Sequence, residues 1–244
     1  MPQNNTLIFI PTYNEVENVE KIFNEIKALN LNTDFLFLDD NSPDGTGKVI
    51  DTISQNNSNV FTIHRAGKQG IGSAHQDGIQ WAYEHNYEIL VTMDCDFTHS
   101  PSYIADFISL SKEATIVVGS RYMKKDSLAT WNLFRKFLTY FGHFLTVNML
   151  NMPYDASGAF RLYNLKNINR NLFQLIGSKG YSFFFESLFI LYYNKITIAE
   201  TPIELPSRTY GTSKMTYKDA WSSLKFLLKL YYRKIFYKNT LQLN

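Results

Sequence analysis

The run Ile89-Leu90-Val91-Thr92-Met93 leads straight into Asp94-Cys95-Asp96 and then turns through Phe97-Thr98-His99-Ser100-Pro101. A short apolar run without alternation, closed by a turn, reads as a strand buried on both faces. Strands covered on both faces belong mainly to parallel sheets layered between helices. Two carboxylates at the end of such a strand stand where open α/β sheets bind their ligands.

Reading outward, the same unit recurs. Thr6 to Ile10 reads as a buried strand stopped by Pro11, and the polar loop Pro11-Thr12-Tyr13-Asn14-Glu15 leads into a helix from about Val16 to Leu29. Phe35 to Leu38 is a second strand, ending in Asp39-Asp40 and the loop Asn41-Ser42-Pro43-Asp44-Gly45-Thr46-Gly47. A helix over Lys48–Gln55, a strand over Val60–Ile63, a loop over Gly67–Gly72 and a helix over Ser73–His85 follow. Past the opening stretch come a helix over Pro101–Ser111 and a strand over Thr115–Gly119 that ends in Ser120-Arg121. This alternation predicts an α/β fold with a doubly wound parallel sheet. One edge then gathers Tyr13 and Glu15, Asp39 and Asp40, Asp94 and Asp96, and Arg121. Acidic groups on three strand ends call for a cation, and hard divalent ions prefer carboxylate oxygen.

The second half is written differently. Trp131 to Leu150 is apolar and aromatic, interrupted by Arg135, Lys136 and His143. It is too polar to span a bilayer and too greasy for an ordinary surface helix, which leaves core or a contact surface. Asp155 to Arg161 reads as a turn with a charge at each end, Lys179 to Ser182 as a loop before an aromatic helix, and Ile196 to Glu200 as a strand. The basic loop Arg208 to Lys214 precedes a last helix over about Thr216–Tyr237. There Tyr217, Trp221, Leu224, Leu228, Tyr231 and Ile235 form one stripe, beside Lys218, Lys225, Lys229, Arg233 and Lys234. Aromatics flanked by cations suit a helix lying on an anionic membrane, though such a stripe can also pack on the domain.

Composition narrows the class. The 244 residues are 45% hydrophobic and 19% charged, which fits a globular chain and not a disordered one. A net charge of +2 gives no basis for nucleic-acid binding, and the single cysteine, Cys95, excludes a disulfide framework or a cysteine-based zinc site. The five histidines lack metal-ligand spacing. No signal peptide is expected from the N-terminus, and no run of about 18 uninterrupted apolar residues predicts a spanning helix. Gly67 to Gly72 lacks the spacing of a dinucleotide fingerprint, so it reads as a tight loop with Lys68 near a phosphate.

Taken together, Pro11 to Glu15, Asp39 to Thr46, Asp94 to Asp96 and Gly119-Ser120-Arg121-Tyr122 resemble the inverting family 2 glycosyltransferases of the GT-A fold. Ser178-Lys179-Gly180-Tyr181 and Arg208 to Lys214 narrow the resemblance to the dolichol-phosphate (polyprenol-phosphate) mannose synthases. The resemblance implies a Rossmann-like, mostly parallel sheet flanked by helices, with C-terminal amphipathic interfacial helices. It implies one domain over 1–244, with a nucleotide-sugar half over 1–122 and an acceptor or membrane-facing half over 123–244. Pro11, Tyr13, Glu15, Leu38 and Asp40 would hold base and ribose. Asp94, Cys95 and Asp96 would meet diphosphate and sugar, with Asp94 and Asp96 on Mg2+ or Mn2+, Asp96 as the firmest ligand and Asp94 orienting the donor. Arg121, Arg208 and Lys214 would meet phosphates, and Asp94, Asp96 and Arg121 would carry catalysis. The expected reaction moves mannose from GDP-mannose onto a polyprenyl phosphate at the cytoplasmic face of a membrane, with a small membrane-anchoring subunit as a further partner. A UDP-sugar donor, or a catalytically silent nucleotide-sugar-binding scaffold, are the alternatives.

The chain departs from the family's pattern at Cys95, where a small residue is usual, and at Ala159, which stands as an extra residue before Phe160-Arg161.

Overall fold

The structure is a computed structural model and describes residues 3–206 and 216–243. Its centre is a sheet in the order β3-β2-β1-β4-β6-β5-β7. Strand β1 (Thr6–Thr12) pairs in parallel with β2 (Thr33–Asp39) on one side and β4 (Ile89–Thr92) on the other, with Ile8 opposite Phe35 and Val91. Strand β3 (Val60–His64) extends the parallel set beyond β2.

Alternate residues of these strands feed two cores. Leu7, Phe9, Leu36 and Leu38 pack under α3 (Ile71–Glu84) and α7 (Ser182–Tyr193). Ile8, Ile10, Phe35 and Phe37 face α1 (Val19–Ala28), α2 (Thr46–Asn56) and α4 (Ile104–Leu110). Both faces are therefore dry, as the continuous apolar runs require. Chain order reverses between β1 and β4, so the ends of these two strands flank the topological switch point, the usual ligand crevice of such sheets.

Two details differ from the sequence reading. Pro11 does not stop β1; it lies inside the strand, opposite Leu38. Phe9 accepts from the Met93 N–H toward β4, and Pro11 points to that same side two residues later, past the end of β4 at Thr92. Its missing N–H thus costs no ladder bond. The second difference is β6 (Arg161–Asn164), antiparallel to both β4 and β5 (Ile116–Ser120), which makes the sheet mixed. A leading arginine disguised this strand as the end of a turn. Arg161 is fully buried, and its guanidinium donates to the carbonyls of Ala156 and Phe184 (both 2.8 Å) and to the Ser187 hydroxyl (3.1 Å). Strand β7 (Ile198–Pro202) completes the edge beside β5.

The aromatic helices divide. Helix α5 (Leu133–Leu150) buries Thr146 and Leu150, while Leu133, Phe134, Phe137, Phe141 and Phe144 are exposed, so it is not a core helix. The one-turn α6 (Asn171–Gln174) precedes α7. Helix α8 (Tyr217–Phe236) opens with a capping box between Thr216 and Asp219 and buries Leu227 and Leu230. Its aromatic stripe looks outward: Tyr217, Trp221, Leu228, Tyr231 and Ile235 are exposed, and Lys225 stands 5.4 Å from the Trp221 ring centroid. Among the described residues, no helix is long and apolar enough to cross a membrane.

Candidate active site

The loops after β1 and β2 are built as one piece. The Asn14 N–H donates to the Ser42 hydroxyl (2.9 Å), the Glu15 N–H to the Thr46 hydroxyl (2.8 Å) and the Val16 N–H to the Asp44 carboxylate (3.2 Å). Ser42 in turn donates to Asp39, and Thr46 donates to Asp44 (2.6 Å). Asp39-Asp40-Asn41-Ser42-Pro43-Asp44-Gly45-Thr46 is thus the scaffold that shapes Tyr13 to Val16. Partial burial works against the Asp44 carboxylate's charge, but the Thr46 hydroxyl and N–H and the Val16 N–H outweigh it and lower its pKa.

One cleft at the switch point is lined by Pro11, Tyr13, Glu15, Leu38, Asp40, Lys68, Asp94, Cys95 and Asp96, joined by Tyr181, Phe184 and Asp219. Strand ends distant in sequence therefore meet as the doubly wound order requires. Glu15 is buried and accepts from the Asn18 amide (2.6 Å). The Lys68 ammonium lies 4.5 Å from the Tyr13 ring centroid, a cation–π distance. Asp40 is buried against Arg65, which also reaches the Ser73 hydroxyl and Asp77 (3.2 Å). Arg65 was invisible in the sequence reading. The signal lay in its position, one residue past a strand whose last residue, His64, is in register with Asp39.

The glycines of the Gly67–Gly72 loop have a packing role. A Cβ on Gly70 would come within 2.5 Å of the Lys179 carbonyl, and one on Gly72 within 2.6 Å of the Gly180 carbonyl. The loop therefore lies flush against residues 179–180, where Gly180 and Tyr181 form the far wall of the cleft. That wall is pinned by Glu186, a fully buried carboxylate that accepts from the Ser178 N–H (2.8 Å), the Ser178 hydroxyl (2.6 Å) and the Gly177 N–H (3.1 Å). Its other oxygen is 3.5 Å from Arg233 of α8.

At the opening stretch, Asp96 is buried and its Oδ1 accepts from the Thr98 N–H (3.0 Å) and hydroxyl (2.6 Å), with Phe97 in the left-handed region at φ 62°. The Asp94 side chain is 32% exposed toward the cleft, and its N–H donates to His99 Nδ1 (2.9 Å). Cys95 is buried between them. Among the described residues, no group of three His, Cys, Asp or Glu side chains converges as a complete metal cage. Two carboxylates are what a phosphate-bound Mg2+ or Mn2+ ordinarily takes from the protein, so this donor set fits an ion whose remaining ligands are phosphate and water.

Arg121 stands outside the cleft lining, just past β5. Its Nε (2.7 Å) and its backbone N–H (3.1 Å) both donate to Oδ2 of the fully buried Asp155. Burial acts to lower the guanidinium pKa, but the Asp155 charge outweighs it, with a smaller contribution from Asp94, so the group is held charged. The Asp155 N–H donates to Glu200 (2.7 Å), whose carboxyl burial pushes up. Arg208 and Lys214 lie outside the described residues.

The family model for glycosyl transferase family 2 matches residues 7–173. The undecaprenyl-phosphate mannosyltransferase of Micrococcus luteus is 32% identical over 211 residues, 86% of this chain and 87% of that protein. The polyprenol monophosphomannose synthase of Mycolicibacterium smegmatis is 31% identical over 218 residues, 88% of this chain and 82% of that protein. Two solved structures share the fold. The mannosyltransferase PcManGT of Pyrobaculum calidifontis, in complex with GDP-Man and Mn2+, superposes with a TM-score of 0.51 at 15% identity, over 84% of this chain and 58% of that one. S. aureus TarS in complex with UDP gives a TM-score of 0.56 at 13% identity, over 96% of this chain and 66% of that one. The chain thus spans less than two thirds of either solved chain. Its mostly parallel sheet between helices is the GT-A arrangement. A family match over most of the chain, and two relatives aligned along nearly all of it, establish that this chain belongs to glycosyl transferase family 2.

Proposed function

We propose that the protein transfers mannose from GDP-mannose to a polyprenyl phosphate at a membrane surface, inverting the anomeric centre. The observation that carries this reading is that residues of three separate strand-end motifs meet in one cleft at the switch point. The names of the two relatives, both polyprenyl-linked mannosyl transferases, support the same choice of donor sugar and acceptor.

Pro11, Tyr13, Glu15, Leu38 and Asp40 form the nucleoside end of the cleft, and Lys68 stands over Tyr13 toward the phosphates. Asp94 and Asp96 would hold Mg2+ or Mn2+, which supplies Lewis-acid neutralisation of the diphosphate leaving group. Arg208 and Lys214 would position phosphate, while Arg121, held charged against Asp155 just outside the cleft lining, would add positive charge on the Asp94 side. A phosphate monoester has a second pKa of about 6 and is largely a dianion at neutral pH. It therefore needs charge complementarity more than an enzymatic base, and none is assigned.

The outward aromatic faces of α5 and α8 support attachment to a membrane surface, which we place at the cytoplasmic face, with a small anchoring subunit as a further partner. Leu133 is 84% exposed and Tyr217 81%, which is costly for apolar groups left in water. Asp219, at the start of α8, lines the cleft, so this outward-facing helix begins at the site.

The test is a panel of labelled nucleotide sugars offered with polyprenyl phosphate vesicles. Mannosyl transfer from GDP-mannose is expected, abolished by chelation. Asp96→Ala is expected to lower it by at least roughly 10²–10³-fold, the scale of losing one group that stabilises developing charge. Transfer from a UDP-sugar alone would replace the donor assignment. Metal-dependent nucleotide binding without turnover on any donor would make the protein a scaffold.

A further inference from the structure

Asp94 stands one residue beyond the last bond between β4 and β1, in which the Met93 N–H meets the Phe9 carbonyl. Its own N–H is therefore out of strand register. It donates to Nδ1 of His99 at 2.9 Å, five residues on. A backbone N–H can only donate, so Nδ1 carries no proton, and the imidazole is the tautomer protonated at Nε2. The 3.9 Å approach of Asp94 Oδ2 to this same Nδ1 therefore sets two acceptors side by side and is not an ion pair.

The ring is in turn held. His99 is 4% exposed and stacks on Phe160 at 5.0 Å and 22°, and Phe160 packs on Phe107 at 4.4 Å. Thr98, the residue before it, is tied to Asp96 through both its N–H and its hydroxyl. The turn from 94 to 99 is thus closed twice, once at each aspartate.

We infer that His99 is the positioning residue for Asp94: its unprotonated Nδ1 fixes the backbone from which the Asp94 carboxylate is presented to the cleft, so that both aspartates meet one divalent cation. The inference rests on the metal reading given above. Outer partners that orient metal ligands are typically worth 10–100-fold in affinity.

Two substitutions separate the hydrogen bond from the ring stack. His99→Asn places an amide oxygen close to the Nδ1 position and gives up the stack. His99→Phe keeps an aromatic ring against Phe160 and removes the acceptor, and His99→Met is a second, non-accepting variant should the first not fold. The readout is Mn2+ affinity in the presence of GDP, followed by electron paramagnetic resonance, with thermal melts alongside. Expected are near wild-type affinity for His99→Asn, even if its melting temperature falls, and a loss of roughly tenfold or more for His99→Phe and His99→Met at preserved folding. The reverse order, with His99→Phe like wild type and His99→Asn weakened, overturns the inference and makes His99 a packing residue. Asp94→Ala distinguishes the two layers. If wild type binds no Mn2+ with GDP, or Asp94→Ala binds it unchanged, the metal reading itself falls and this inference with it.

Discussion

Helices α5 and α7 are both rich in Phe, Leu and Tyr and end in opposite environments. Every residue from Ser182 to Leu191 in α7 is buried, whereas α5 buries Thr146 and Leu150 and exposes a row of phenylalanines. The difference lies in what the polar residues find. In α7, Glu186 meets Ser178 and Gly177, and Ser187 meets the buried Arg161, so the helix enters the core with those groups satisfied. In α5, Arg135 and Lys136 sit at the first turn, where Lys136 reaches the Ala129 carbonyl (3.2 Å) at the surface. Aromatic content says that a helix must be covered. Only the polar partners say by what.

The largest expected effect is in α7. Phe183 is fully buried, stacked 5.5 Å from His75, so Phe183→Ala is expected to cost about 3–5 kcal/mol in equilibrium urea unfolding. A loss below about 1 kcal/mol would mean that this helix is no more core than α5.

Next comes the histidine that α7 covers. His75 is 1% exposed, and burial, helped by the Arg161 charge, pulls its pKa from 6.5 to about 3. The unfolded chain takes up this proton below pH 6.5 and the folded protein does not. The contribution is therefore complete above pH 6.5 and is lost as pH falls toward 3, by at most about 1.4 kcal/mol per pH unit. Comparing urea midpoints at pH 7.5 and 5 should show a steeper loss for wild type than for His75→Leu. Equal slopes would show that His75 takes up its proton inside the fold.

The smallest effect on stability is expected in α5. Phe137 and Phe141 are 62% and 45% exposed, so serine at each should change unfolding by no more than about 0.5 kcal/mol. Association with anionic vesicles, measured by flotation, should fall by roughly tenfold or more, the worth of one well-buried aromatic side chain. Destabilisation without loss of vesicle binding would reverse the contrast with α7.

The first half of the chain was readable because each of its elements is local. β1, β2 and β4 carry continuous apolar runs, and Val19, Ile22, Phe23 and Ile26 repeat at helical spacing and are buried together. Strand β6 was not readable, because Arg161 draws its partners from Ala156, Phe184 and Ser187, and the last two lie on another element. Arg65 and Asp155 escaped for the same reason. Each gains meaning from a charge across the fold, Asp40 for one and Arg121 for the other.

By itself, the sequence determined the parallel α/β layers and the residues that would crowd one sheet edge, since apolar runs and strand ends are set by neighbours along the chain. Tertiary structure alone decided that Pro11 to Glu15 and Asp94 to Asp96 share a cleft walled by Gly180 and Tyr181, that Asp94 hangs from His99, and that α7 goes inside while α5 faces out. These depend on which polar groups meet across the fold, and a buried hydrogen bond or ion pair leaves no periodicity in the sequence to announce its partner.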